Sequence, residues 1–277
     1  MLAVIMGTIV LGGAGAISWT FLTKAPEKGL TEGGIFPAIF GTAALTLLMT
    51  VVAVPAGVLT AVYLTEYAPP GSLLARLVRV CIANLAGVPS IVFGLFGLGF
   101  FVSTLGPAID EVGFGGAPTY GKPALIWAAL TLAVLALPVI VVATEEALRA
   151  VPREIRDASL AVGATKLQTI VRVVLPEALG GILTGSILAV SRGAGEVAPI
   201  LFTGAAYFLP YLPAYLNDPF MNLGYHVYVL ATQSPDVDKT KPLLYGTVLV
   251  LLGLTFSLNV VAVLIRQRTR GKLRAAA

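Results

Sequence analysis

Six apolar runs, each long enough to cross a bilayer, leave few folds open to this chain. They lie near residues 1–22, 38–64, 80–105, 124–144, 176–203 and 243–265. A hydrocarbon core roughly 30 Å thick takes about twenty helical residues to cross. In lipid every backbone polar group must be satisfied internally, and a helix does this within one segment. The expected fold is therefore an all-α integral membrane protein of about six transmembrane helices. Only 12% of the 277 residues are charged and the mean hydropathy is +0.91, whereas soluble domains carry about 25% charge. A soluble globular domain is excluded. The 30 glycines and 18 prolines suit membrane helices, which tolerate both. No repeat and no low-complexity tract divides the chain, so residues 1–277 are expected to form a single membrane domain. The one cysteine, Cys81, excludes an internal disulfide and a multi-cysteine metal site. The first run begins at Met1 without a basic stretch before it, which argues against a cleaved signal peptide. A short cytoplasmic tail upstream is expected.

Orientation follows from where lysine and arginine fall, since cytoplasmic loops collect them. Segments 66–79, 145–175 and 266–277 hold twelve: Arg76, Arg79, Arg149, Arg153, Arg156, Lys166, Arg172, Arg266, Arg268, Arg270, Lys272 and Arg274. The alternate loops hold five: Lys24, Lys28, Lys122, Lys239 and Lys241. The twelve-bearing side is expected to be cytoplasmic, with both termini on it. The outer loop 204–242 is rich in aromatic residues, among them Tyr207, Tyr211 and Tyr215. They suit either a docking surface or an interfacial belt.

The most informative stretch is the charged insertion at about 149–176, between the fourth and fifth runs. Pro152 suits a helix start, where its missing N–H costs nothing. Glu154 and Asp157 are well placed for the helix dipole. Val151, Ile155, Ala158 and Val162 follow a 3–4 spacing and form one apolar stripe. Gly163 is a natural left-handed stop. Thr165 and Gln168 have the spacing of a capping box for a second short helix, and Leu175-Pro176 opens the next span. Two short helices at an angle make a rigid elbow; a charged loop folded onto its own protein is the alternative. The spacing resembles the EAA motif of prokaryotic ABC-importer permeases: Glu-Ala-Ala, three residues, Gly, nine residues, Ile, one residue, Leu-Pro. Here stand Asp157-Ala158-Ser159, three residues, Gly163, nine residues, Val173, one residue and Leu175-Pro176. Asp, Ser and Val replace Glu, Ala and Ile. The resemblance implies the fold of a type I (MetI-like) importer permease. It also implies that Asp157, Ala158, Ser159, Gly163, Leu175 and Pro176 belong to a helix that couples to a separate ATP-hydrolysing subunit.

ATP itself finds no seat on this chain. Gly116-Ala-Pro-Thr-Tyr-Gly121-Lys122-Pro123 imitates a P-loop, but proline stands where a serine or threonine hydroxyl must reach the metal. No cofactor is expected on this chain; ATP and magnesium belong to the partner ATPase.

Two polar features lie inside the apolar runs. Arg192 and Glu196 are four apart, which places them on one helix face. A charge at a bilayer centre costs roughly 2.5–3.5 kcal/mol on insertion scales. The pair is either a structural ion pair or a polar station on a substrate path. Arginine suits an oxyanion, because its planar fork makes two parallel hydrogen bonds to phosphate. In Gly87-Val88-Pro89-Ser90-Ile91-Val92-Phe93-Gly94-Leu95-Phe96-Gly97, Pro89 removes a helix hydrogen bond. That stretch is either a pore-lining break, with Ser90 as a polar contact, or close packing through small residues.

Together, GVPSIVFGL and RGAGEVAPILFTGAAYF resemble the PstA permeases of high-affinity phosphate importers, from the second run to the C-terminus. The resemblance implies a second homologous permease (PstC-like), two ATP-binding subunits (PstB-like) and a phosphate-binding protein (PstS-like). It implies a bacterial inner-membrane location amid membrane lipid, and places Arg192 and Glu196 on the phosphate path. No nucleic-acid partner is expected. A permease for molybdate, sulfate or phosphonate would share the elbow. An intramembrane serine protease built on Ser186 or Ser191 with His226 is a remote alternative, because no Gly-x-Ser-x-Gly signature is present.

Overall fold

Apolar sequence with few breakers becomes helix wherever neighbouring helices can satisfy the exceptions. The computed structural model describes residues 1–234 and 236–276, without the side chains of 2, 29 and 269–276. In order come α1 (Leu2–Gly13), α2 (Trp19–Thr23), a two-stranded antiparallel hairpin of β1 (Pro26–Glu27) and β2 (Glu32–Gly33), α3 (Phe36–Val62), α4 (Leu73–Leu85), α5 (Ser90–Phe96), α6 (Gly106–Gly113), α7 (Leu125–Arg149), α8 (Arg153–Ala161), α9 (Lys166–Thr169), α10 (Leu175–Ala194), α11 (Leu223–Thr232) and α12 (Val237–Ala276). π-helical stretches at Tyr63–Tyr67, Gly97–Leu105 and Ile170–Val174 extend α3, join α5 to α6 and join α9 to α10.

Among the described residues, five helical stretches are long and apolar enough to span a membrane: Phe36–Tyr67, Ser90–Gly113, Leu125–Arg149, Lys166–Ala194 and Val237–Arg268. Three of the expected runs shift. The first, 1–22, yields only the 12 residues of α1 and a 3₁₀ turn, so α1 reaches about 18 Å at 1.5 Å per residue. Ser18 then ends the run by capping α2 through the Phe21 N–H. The third run, 80–105, breaks at Gly87 and Pro89. Its first part belongs to the separate helix α4, and the span starts at Ser90. The fifth, 176–203, starts earlier and stops at Ala194. The cause at its start is Pro176, which has no N–H to offer the preceding turn. The helix widens there instead, and the Leu175 N–H reaches back five residues to the Ile170 carbonyl.

The chain divides into two compact units. One comprises Met1–Met49, Pro89–Leu132 and Gly193–Ser257; the other comprises Thr50–Val88, Ala133–Arg192 and Leu258–Ala277. The first packs Phe21, Ile35, Ala38, Met221 and Leu223 together. In the same unit Trp127 is buried, stacked on Phe101, and donates its indole N–H to the Tyr120 carbonyl at 2.7 Å. The second is centred on Ala61, Val141, Leu148, Ile170, Val174 and Ile182.

Candidate functional site

The elbow is built entirely within the second unit. α7 ends at Arg149, and Val151 turns inward with only 6% of its surface exposed. Pro152 holds the extended backbone of an N-cap, so α8 starts one residue later than the proline. Arg156 then ties α8 down. Its guanidinium donates to the carbonyls of Val151 (2.5 Å) and Leu148 (2.7 Å) and to Glu66 (3.0 Å). Those carbonyls lie at the C-terminal end of α7, where helix carbonyls lack intrahelical partners, so one side chain closes the corner. Gly163 adopts φ +89°, a region that L side chains rarely enter. The capping box is present: the Gln168 N–H donates to Thr165 Oγ1 at 3.3 Å, and the Thr165 N–H to Gln168 Oε1 at 2.8 Å. A hydroxyl–hydroxyl bond between Ser159 and Thr169, at 2.9 Å, locks α8 to α9.

The apolar stripe of α8 divides. Val151 is buried, but Ile155 is 37% and Val162 86% exposed, and Ala158, Leu160 and Leu167 are exposed with them. Asp157 is exposed on the same helix, while Ser159, Leu175 and Pro176 are half-buried. The segment is therefore anchored through its arginine and presents apolar side chains outward. Behind it stands a network that sequence spacing only partly shows. Glu145 accepts from Arg149, four residues on, at 3.0 Å and from Arg79 at 3.2 Å. Arg79 also donates to the Leu64 carbonyl at 2.7 Å. The Glu145–Arg149 spacing is legible in the sequence; the approach of Arg79 and Glu66 comes from the folding of distant helices.

The polar segment at the end of α10 differs from expectation. α10 stops at Ala194, and Glu196 lies in the turns beyond it, its N–H donating to the Gly193 carbonyl at 3.2 Å. The two charges therefore do not share a helix face. Gly193, Gly195 and Pro199 weaken the helix at this point. Arg192 is exposed in the last turn of α10, where a cation is favoured by the helix dipole. Glu196 is half-buried in the first unit. Ser90 is half-buried at the first position of α5, with Pro89 as N-cap. Pro89 thus begins a helix and does not bend one. The stretch that follows Glu196 packs on α5: a Cβ on Gly94 would lie 3.0 Å from both the Ala198 carbonyl oxygen and the Pro199 Cα. The two motifs that resemble PstA therefore meet, through Gly94 and not through Ser90.

Other candidates separate cleanly. In the P-loop imitation, the N–H groups of Thr119, Tyr120 and Gly121 all donate to the buried carboxylate of Asp110, at 3.0, 2.7 and 2.7 Å. A phosphate would need those same donors. Ser191 donates to the Ile187 carbonyl and bonds Asn259. Ser186 Oγ and His226 Nδ1 each lack a hydrogen-bond partner among the described residues. Burial pushes the His226 imidazole down to about 4. Among the described residues no group of three His, Cys, Asp or Glu side chains is placed to hold a metal ion.

Comparison with known proteins fits this geometry. Residues 53–271 match the model of the family described as "Binding-protein-dependent transport system inner membrane component". The chain is 40% identical over 183 residues to "Phosphate transport system permease protein PstA 1" of Mycobacterium tuberculosis, covering 66% of this chain and 55% of that protein. It is 35% identical over 195 residues to "Probable ABC transporter permease protein YqgI" of Bacillus subtilis, covering 70% and 61%. It therefore spans little more than half the length of these two relatives. Against "Phosphate transport system permease protein PstA" of Haemophilus influenzae it is 33% identical over 249 residues, covering 90% and 81%. In fold, it matches a chain of a bacterial alginate ABC transporter with TM-score 0.70 at 14% identity, covering 98% and 90%. A chain of the inward-facing MetNI methionine ABC transporter matches with TM-score 0.59 at 21% identity, covering 85% and 94%. The fold is that of a type I importer permease, and the chain belongs to the family of binding-protein-dependent transport system inner membrane components.

Proposed function

We propose that this chain is the PstA-like permease subunit of an ATP-driven phosphate importer, a single non-catalytic membrane domain. The observation that carries it is the likeness to proteins named as phosphate permeases, which reaches 90% of this chain in the Haemophilus influenzae relative. The partners are a PstC-like permease, two PstB-like ATPases that bind ATP and magnesium, and a PstS-like phosphate-binding protein. Both termini and the elbow face the cytoplasm.

In this scheme the exposed apolar side chains of α8, with Asp157, Ala158 and Ser159, enter a cleft on the ATPase. Gly163 and the Leu175-Pro176 start set the angle at which they do so. Because Arg156, Ser159 and the capping box make the elbow stiff, movement of the ATPase is transmitted to α7 and α10 and is not absorbed by a slack loop. Arg192 offers phosphate a planar pair of donors, and Glu196 tempers the field so that the anion is released as well as captured. Ser90 lends a neutral hydroxyl. A molybdate, sulfate or phosphonate permease would use the same elbow, and competition for uptake among these anions separates the cases.

The test is Arg192→Ala in cells that depend on this importer. Phosphate uptake is expected to be lost while the chain still co-purifies with its partner subunits. Normal uptake by the assembled variant would remove Arg192 from the path.

A further inference from the structure

α4 is tied to the membrane boundary at both ends. Five residues join it to the span that ends at Tyr67, and four join it to the span that begins at Ser90. At about 3.5 Å per residue, these links keep the helix close to both span ends. One side of α4 is accounted for: Ala75, Val78 and Ile82 pack on the core of the second unit. The opposite arc, Leu73, Leu77 and Val80, is apolar and exposed, and Cys81 is exposed beside it. Arg76 borders this arc, exposed and without an ion pair among the described residues. Arg79 commits Nε to Glu145 and Nη2 to the Leu64 carbonyl, and its Nη1 has no hydrogen bond among the described residues. Between the arginines and the preceding turn lies a cavity of about 490 Å³, lined by Leu64, Pro69, Ser72, Arg76, Arg79 and Val80 among others. The chain carries no acidic residue from Ala68 to Ile109.

We propose that α4 and the turn before it form a binding site for an acidic phospholipid. Arg76, helped by the free end of Arg79, holds the headgroup phosphate. Val80 and Ala83 receive the start of an acyl chain, and Leu73 and Leu77 lie in the interface. A helix with one apolar open arc and cations at its border is the form that settles at a membrane surface, and juxtamembrane arginines are attracted to anionic lipid. A free phosphate would use the arginines but leave the apolar arc unexplained. A protein partner meeting this arc would find Arg76 at its border, a cation that no carboxylate among the described residues pairs. The proposal does not rest on which solute the permease carries.

The test uses the full chain, in the assembly in which it is isolated, reconstituted into nanodiscs of phosphatidylcholine doped with phosphatidylglycerol. Lipid retained after detergent exchange is quantified by mass spectrometry. Phosphatidylglycerol is expected to be enriched over the bulk. Arg76→Ala should reduce the enrichment about fivefold, the factor for one interfacial arginine, while Arg76→Lys keeps most of it. Absence of enrichment, or an equal loss in the control Arg172→Ala, overturns the proposal. So does displacement of the bound anion by excess inorganic phosphate. A nitroxide on Cys81 gives an independent readout. Collision with oxygen but not with an aqueous nickel chelate supports a lipid-covered arc; protection from both shows a protein there and overturns it.

Discussion

The elbow and the segment after α10 both carry charge into an apolar chain, yet they are held by opposite means. At the elbow, apart from the Arg156–Glu66 pair, bonds run between residues close in sequence or to one nearby helix end: Thr165 with Gln168, Ser159 with Thr169, and Arg156 with the carbonyls of Leu148 and Val151. Around 193–224, in the first unit, close backbone approach and bonds between distant segments come forward. Gly94 admits Ala198 and Pro199, the Leu223 N–H donates to the buried Thr42 hydroxyl at 2.8 Å, and His226 is buried uncharged. Local bonding makes a structure that spacing rules describe. Packing between distant segments makes one that they do not.

The comparison breaks most directly at Arg156. Its ion pair with Glu66 has side chains only 18% and 11% exposed. Removing one partner of a mostly buried pair leaves the other charge unpaired and takes a donor from the carbonyls of Leu148 and Val151. Arg156→Ala is expected to cost about 3 kcal/mol, read as a fall in thermal midpoint in detergent. Trypsin cleavage within 153–166 should rise with it. A variant as stable as the parent would mean that the elbow is held by something other than this bond.

The first unit should fail differently, through acid. His226 titrates near 6.5 when unfolded and about 4 when buried. Between those values the unfolded chain binds the extra proton, so the stability is fully present above pH 6.5 and is lost as pH falls toward 4. From pH 7 to pH 5 the loss should be about 2 kcal/mol. Glu32 lines the same small cavity but is engaged by Lys28 at 3.0 Å. His226→Leu should flatten this part of the pH profile; an unchanged profile would place the acid-sensitive group elsewhere.

This contrast marks what the sequence made legible. The long apolar helices, the capping box, the left-handed Gly163 and the elbow follow from composition, periodicity and short spacings, and each is present. What spacing could not supply were tertiary decisions. Placing Arg192 and Glu196 on one helix face presumes that α10 continues, but glycines on both sides of Ala194 and the contact with α5 let it stop. Separating α4 from the third span required knowing that Gly87 and Pro89 act as a break and not as a bend. Glu66 and Arg79 joined the elbow from 90 and 66 residues away in sequence, distances at which no local pattern operates.

Two smaller changes sharpen the contrast. Gly94→Ala places a methyl group 3.0 Å from backbone atoms of Ala198 and Pro199, which can yield only if the turn moves. Overpacking of this kind should cost about 1–2 kcal/mol. It should also lower uptake more than its stability loss explains, because the displaced turn carries Glu196.

Thr165→Ala removes only the acceptor for the Gln168 N–H. An N-cap is worth about 1 kcal/mol, and the neighbouring Ser159–Thr169 bond remains in place to hold the angle. Assembly with the ATPase should survive while hydrogen exchange quickens at the first turn of α9. Thr165→Ser, which keeps the hydroxyl, should restore protection; if it does not, the threonine methyl and not the cap orders the corner. Faster exchange confined to α9 would show that α8 is positioned by Arg156 and the Ser159–Thr169 bond without help from the cap. If the quickening spread into α8, the two short helices would be one cooperative unit, the stiffness that coupling to an ATPase demands.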